Sequence, residues 1–483
     1  MKITLYAPID LRTLAAMAGG VLCPHGVGEA LTVTHICTDS READAHTLFC
    51  AIRGERVDGH AYGAKAAELG CAAFLCQRIP NDLTAPYVAI LVPDTVEALG
   101  RLAGARRAGA LAGLSVTAVT GSVGKTTTKE MLHAVLSPFR PTFKKDGNFN
   151  STIGLPMSFL EISSDTAEAV LEMGMSGRGE IASMTAAVRP DIAIVANVGS
   201  SHLEHLGTRE NIAAAKLEIA EGLRAGGILL INGDEPLLRR AEEALISENT
   251  RVLRLSLGGA ENADYTASRM TVRNGGMAFD LSTPCGVWED LWIPAVGEHL
   301  VWAAAFAAAV GQLRGLESGQ VREGLSLYRP AAMRQNRREV GGVTVIEDCY
   351  NAAPESMSAA LAVLRLTAAD RVGGRRIAVL GDMKELGDDT EALHRRVGAE
   401  AVRQGVDLLV AVGELGQMIA RGAMEAGMPA SAIHSVSTAE EYSIAAAWLA
   451  GEVLRGDCIL FKASRAMALE TMAEAVYQEL EKR

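Results

Sequence analysis

The sequence predicts an α/β protein of three domains: a small N-terminal α/β unit, a central domain whose mostly parallel sheet carries a phosphate-binding loop, and a C-terminal doubly wound, Rossmann-like unit. Three observations carry this expectation. A chain of 483 residues exceeds what one hydrophobic core organises. Short apolar runs alternate with helical stretches along most of its length, as parallel sheets with crossover helices require. A Pro- and Arg-rich connection, "YRPAAMRQNRREVGG" from Tyr328 to Gly342, separates two such series.

The elements follow in order. Apolar runs such as "TLFCAIRG" and "AAFLC" alternate with "AYGAKAAELG" over the first part of the chain, and "LAGARRAGALAGLS" closes that unit, placing the first domain at 1–112. "SVTAVTG", "AVLEMG", "DIAIVANVG" and "GGILLING" read as strands of the central domain, 113–329, each followed by a polar or helical segment. Within it "YTASRMTVRNGGMAFDL" predicts a hairpin turning at Asn274-Gly275. "VTVIEDCYN", "RRIAVLGDM", "VDLLVAVG" and "DCILFKAS" start a second doubly wound pattern in the third domain, 330–483, with its site expected at the strand ends.

Composition removes several function classes. The formal net charge is −12, with no basic run, so nucleic acid is not an expected partner. The most apolar stretch, "LVWAAAFAAAVGQL" from Leu300, falls short of the roughly 20 residues that a membrane span needs. The first residues, broken by Asp10 and Arg12, make a poor signal peptide. The eight cysteines form no C-x-x-C pair and are mostly flanked by apolar residues, as buried reduced thiols of a cytoplasmic protein would be.

The stretch with the clearest chemistry is "AVTGSVGKTTTKEML", Ala118 to Leu132. A predicted strand runs into Gly121-Ser122-Val123-Gly124-Lys125-Thr126-Thr127 and then into a predicted amphipathic helix. The usual phosphate loop is G-x-x-x-x-G-K-[ST]; here the first glycine is Gly121, with Val119 in its ordinary place. Amides at a helix N-terminus favour anions. The glycines let the backbone approach phosphate oxygens, Lys125 can reach the terminal phosphates, and Thr126 offers a hydroxyl to Mg²⁺.

"TGSVGKTTTKEML" resembles the shortened ATP loop of the Mur ligase family, which also includes the folylpolyglutamate synthetases. The resemblance extends over "GNFNSTIGLP", "LEMGMSGRGEI", "NVGSSHLEHLGTRENIAAAKLEI", "EDCYNAAPESM" and "VLGDMKELG", and covers nearly the whole chain from about Thr38 to Met467. The N-terminal "CTDSREADAHTLFCAIRGERVDGHAYGAKAAELG" is similar to a uridine-nucleotide domain of that family. What this implies is an ATP- and Mg²⁺-dependent enzyme that adds D-alanyl-D-alanine to a UDP-N-acetylmuramoyl tripeptide through an acyl phosphate, in peptidoglycan precursor synthesis. A monomer is expected. The third residue of the peptide stays open between diaminopimelate and lysine.

The resemblance also assigns roles. Lys125 and the loop would hold the β- and γ-phosphates, with Thr126 on a first Mg²⁺, Glu172 binding metal, His202 as the second metal ligand, and no role for His205. Lys216, by composition a helix-surface lysine, would be carbamylated by CO₂ into an oxygen ligand for Mg²⁺. Arg334 would reach the γ-phosphate, Asp348 the ribose, and Tyr350 and Asn351 the same pocket, so that closure assembles a site split between domains. Ser40, Arg41 and Asn150 would serve the UDP-sugar, with Asp58-Gly59-His60 near Ser40 and Arg41, and Lys462, Ser464 and Arg465 the incoming dipeptide. The family's G-x-H-N-x-x-N adenine segment reads "GEHLVWA", with Leu300 and Ala303 in place of asparagines, while Ser151 and Ala353 each replace another. Weaker discrimination between ATP and GTP is the expectation. A ligase of the folylpolyglutamate type and a non-catalytic nucleotide-binding protein are the competing readings.

Overall fold

The computed structural model describes residues 1–483 except 25, 55, 72, 80–86, 246–249, 370–372 and 483. Three sheets organise it. The first runs, in spatial order, Lys2–Asp10, Thr32–Cys37, Thr47–Cys50, Ala73–Cys76, Val88–Leu91 and Val21–Cys23; the four inner strands are parallel and both outer ones antiparallel to their neighbours.

The central sheet has nine strands. Six of them, Thr142–Lys144, Glu168–Glu172, Ser115–Thr120, Ile192–Val195, Ile228–Asn232 and Arg251–Ser256, lie side by side and parallel. Tyr265–Arg273 continues the parallel run, and Gly276–Thr283 and Gly286–Ile293 extend it as an antiparallel meander. Arg273 pairs with Gly276 across Asn274 and Gly275, both at positive φ, the turn that the Asn-Gly pair predicts.

The register of this sheet positions the site. Thr120 lies opposite Val195 on one side, and Val119 opposite Glu172 on the other. Three neighbouring parallel strands therefore end at one level, delivering the loop after Thr120, the Glu172 carboxylate and the Asn197–His202 segment to a single edge.

The helix Lys125–Leu136 differs from its expected amphipathic form, because eight of its residues, including Lys129 and Glu130, are buried. It lies between the sheet and the helices Glu298–Leu313 and Ser318–Ser326. At Gly324 a Cβ would stand 2.5 Å from Val135 Cα, so this contact needs glycine. Lys144 pairs with the buried Glu130, which lets the charged face stay inside.

The third sheet orders Asn336–Val340, Val343–Glu347, Cys458–Lys462, Arg376–Gly381, Leu408–Val412 and Ile433–Val436, all parallel except the first pair. The Tyr328–Gly342 segment is thus more than a connection. Its "NRREV" forms an edge strand that turns back through Gly341-Gly342, and charged side chains suit an edge that faces solvent. The segment around Gly154–Phe159 buries Met157 and Leu160 in the core of the first sheet, tying the first two units together. Six of the eight cysteines are buried, while Cys285 is exposed and Cys23 half-buried, against the uniform burial expected. Among the described residues no helix is long and apolar enough to cross a membrane.

Candidate active site

The phosphate-loop residues sit between the strand Ser115–Thr120 and the helix Lys125–Leu136. Gly124 has φ 77°, a conformation that disfavours side chains, and no side chain caps the helix it opens, so the first amides are free for an anion. The loop is held from its neighbour strand. Val123 N–H donates to Asn197 Oδ1 (3.0 Å) and Asn197 Nδ2 donates back to the Val123 carbonyl (2.8 Å). Gly199 N–H donates to Ser122 Oγ at 2.8 Å. Lys125 Nζ lies over the loop, donating to the Gly121 carbonyl at 2.7 Å. Burial lowers its pKa below the ordinary lysine value, with Glu172 opposing.

Beside the loop, Thr126 Oγ1 donates to Glu172 Oε2 (2.8 Å), and Asn150 Nδ2 donates to Glu172 Oε1 (2.9 Å). A hydroxyl and a carboxylate at contact distance are the hard oxygen donors that Mg²⁺ prefers. Lys216 is not on the surface, as composition suggested: it is 1% exposed. Burial pushes its ammonium well below the usual lysine range, and Lys125 adds to that. His202 meets the third domain, its Nδ1 lying 3.0 Å from Glu385 Oε2. Among the described residues no three His, Cys, Asp or Glu side chains gather closely enough to hold a metal by themselves.

The opposite wall comes from the third domain. The Arg334 guanidinium stacks over the Tyr350 ring, 4.3 Å from its centroid. Lys462, 2% exposed, donates to Asp348 Oδ2 (2.7 Å) and to the Asn351 carbonyl (3.0 Å). Lys462 thus lines the same cleft as Lys125 and Thr126, beside Asp348 and Asn351. Its strand lies next to Val343–Glu347, so the two chain ends emerge together. Ser464 is buried, its Oγ accepting from Lys384 N–H at 3.1 Å. Arg465 pairs with Glu470 at the surface beside Met333. Glu355 ties the walls together, its Oε1 accepting from Ser200 N–H (2.9 Å) and Ser200 Oγ (2.8 Å).

Between the walls runs a cleft of about 310 Å³, open to solvent. Ser122 to Thr128 and Glu172 line one end; Arg334, Asp348, Asn351 and Lys462 face them; His299, Leu300, Trp302, Ala303 and Gln335 line it further on. Leu300 and Ala303 are each 4% exposed and make that part apolar. His299 is pushed down to about 4 by burial, so its ring is neutral and accepts at Nε2 from Gln335 Nε2 (2.8 Å). The cleft thus offers cations and a helix N-terminus at one place and apolar surface at another, as a nucleoside triphosphate requires.

Comparison with known proteins agrees with this layout. The Mur ligase middle domain matches residues 119–311, the Mur ligase glutamate ligase domain 333–465, and the Mur ligase family catalytic domain 32–107. The UDP-N-acetylmuramoyl-tripeptide–D-alanyl-D-alanine ligase of Bacillus subtilis is 38% identical over 96% of this chain and 97% of its own length. The chain belongs to the Mur ligase family. Its fold is close to that of MurF from Acinetobacter baumannii, with a TM-score of 0.87 at 30% identity over 99% of this chain and 100% of the other. MurF of Thermotoga maritima, solved in complex with ADP, superposes with a TM-score of 0.79 at 29% identity over 93% of this chain and 98% of the other.

In this Mur ligase the first-domain residues divide. Ser40 is buried in a short turn, and Arg41 is 76% exposed with its guanidinium held on Asp39. Neither lines the pocket made by Arg53, Asp58, His60, Gln77 and Arg78. There Asp58 is held well below the usual carboxylate range by hydrogen bonds from His60 and Arg78. Asn150, which the resemblance assigns to the UDP-sugar, donates its amide to Glu172 at the end of the Glu168–Glu172 strand. Asn197, Glu355, Glu385 and Gln335 carry structural roles in the site that the sequence reading passed over. Asn197 stood in the quoted "NVGSSH" directly after a strand, which was signal enough; the others act across domains and had none.

Proposed function

We propose that the protein is a cytoplasmic, ADP-forming ligase that joins D-alanyl-D-alanine to the carboxyl end of a UDP-N-acetylmuramoyl tripeptide; its Bacillus relative is named UDP-N-acetylmuramoyl-tripeptide–D-alanyl-D-alanine ligase. The observation that carries the chemistry is the loop with Lys125 and the Thr126–Glu172 pair facing Arg334 across one cleft. A carboxylate must first be phosphorylated to become electrophilic, and positioning with charge neutralisation does most of that work. Lys125, now on the loop carbonyls, swings to the β- and γ-phosphates. Arg334, held over Tyr350, supplies a second cation from the third domain. The amine of the dipeptide then attacks the acyl phosphate, the amide bond forms, and phosphate leaves.

The donor set fits Mg²⁺: Thr126 Oγ1 and Glu172 would hold it, and it would neutralise phosphate charge when bound. Lys216 completes the set as a carbamate. Burial lowers the pKa of the Lys216 amine and so favours the form whose lone pair can add to the carbon of CO₂, with one N–H proton leaving to solvent. The product carries a negative charge and two oxygens where an ammonium would repel a cation.

The test is phosphate release with UDP-N-acetylmuramoyl tripeptide and D-alanyl-D-alanine, compared with release when either is omitted or a glutamate acceptor is offered. Release that needs both substrates is expected; release with glutamate instead would favour the folylpolyglutamate type, and none at all a non-catalytic protein. Lys216→Ala should be nearly inactive and partly rescued by added acetate or formate, but not by chloride at equal ionic strength. A fully active Lys216→Arg would sink the carbamate.

A further inference from the structure

We infer that Gln335 reads the exocyclic amine of adenine in this protein, taking over the base selection that the apolar wall of Leu300 and Ala303 cannot provide. The inference rests on the nucleotide reading of the cleft. With the triphosphate on the loop at Lys125 and Thr126, the base must extend along the cleft to the wall built from the start of the helix Glu298–Leu313. That wall offers Leu300, Ala303 and the half-buried Trp302, which can hold any purine face by apolar contact and stacking but cannot distinguish one from another.

Gln335 supplies what is missing. Its Nε2 is committed to the neutral ring of His299, which fixes the amide plane and leaves Oε1 as the free end. Oε1 is buried and has no hydrogen-bond partner among the described residues, although it belongs to a residue that lines the cleft. An unpaired buried acceptor is costly unless a ligand donor reaches it. The backbone holds it there at a cost as well, since Gln335 sits at φ 53° and Met333, two residues before, at φ 56°. Adenine presents an N–H donor at its 6-position, whereas guanine and hypoxanthine present a carbonyl oxygen there. An acceptor facing the 6-position therefore favours adenine and leaves two lone pairs opposed in the others.

Sequence reasoning from Leu300 and Ala303 expects weak ATP/GTP discrimination; Gln335 reverses that expectation. Equilibrium binding of ATP, GTP and purine riboside triphosphate, which lacks the 6-amine, to the full chain and to Gln335→Leu tests it. The parent should bind ATP about tenfold more tightly than purine riboside triphosphate, with GTP weaker still. Gln335→Leu should lose about that factor for ATP, leave purine riboside triphosphate unchanged and gain for GTP as the opposed lone pair is removed, bringing the three nucleotides together. Equal loss for all three would mean that Gln335 touches the ribose or phosphates, and overturns the inference, as would an unchanged preference. The analogue comparison on the parent needs no variant, so a Gln335→Leu chain that failed to fold would leave it decisive. Should the parent bind no purine triphosphate, the nucleotide reading of the cleft itself fails, a result distinct from binding without selection.

Discussion

Replacing Asn197 by alanine should separate the phosphate loop from the rest of the fold. The Asn197 side chain closes two hydrogen bonds on one residue, accepting from Val123 N–H at 3.0 Å and donating to the Val123 carbonyl at 2.8 Å. Alanine removes both while leaving the strand Ile192–Val195 and its core contacts untouched. Each partly buried bond contributes about 0.5–1.5 kcal/mol net, so the loop loses roughly 1–3 kcal/mol of local order. That order must then be restored when nucleotide binds, so the ATP dissociation constant should rise by about 5- to 150-fold. Isothermal titration with ATP measures it, and binding of the UDP-sugar substrate serves as the control for an intact first domain. Asn197→Asp keeps the acceptor but loses the donor and adds a negative charge beside the phosphates, so it should do no better than alanine. An Asn197→Ala protein that binds ATP like the parent would show that the loop is pre-formed without this clamp, and the reasoning would fail.

Three further outcomes are expected. Gly324→Ala places a Cβ 2.5 Å from Val135 Cα; overpacking of this kind costs about 1–3 kcal/mol, and an unchanged denaturation midpoint would mean that the helices separate freely. His299 is buried neutral with its pKa pushed down to about 4, and burial lowers His133 and His394 too. The unfolded chain therefore takes up these protons first, so the stability is present above the unfolded histidine pKa of about 6.5 and lost as pH falls toward 4; a flat thermal midpoint over that window would contradict it. Arg41→Ala should raise KM for the sugar nucleotide more than for ATP, because Arg41 lies in the first domain and outside the cleft; a selective loss of ATP affinity would refute its assignment.

The phosphate loop could be read directly because strand, Gly121–Thr126 and helix are contiguous, and the whole device lies within one short stretch. The Asn274-Gly275 hairpin was legible for the same reason. Periodicity likewise revealed three alternating α/β units, since buried parallel strands are apolar runs wherever they fall. Burial of individual polar residues was another matter. Nothing in "AAAKLEI" distinguishes Lys216 from a solvated helix lysine; only the packing of its helix against the sheet withdraws it from water. Lys462 and Asp348 are 114 residues apart, and their pairing depends on which strands are neighbours and in what register. The strand hidden in "NRREV" escaped notice because an edge strand needs no apolar alternation. Gln335 and His299 meet across two domains, 36 residues apart, so neither reveals the other in sequence. Local chemistry follows from spacing along the chain, whereas convergence at the cleft follows from strand order and domain placement, which parallel crossovers leave unrecorded in any short segment.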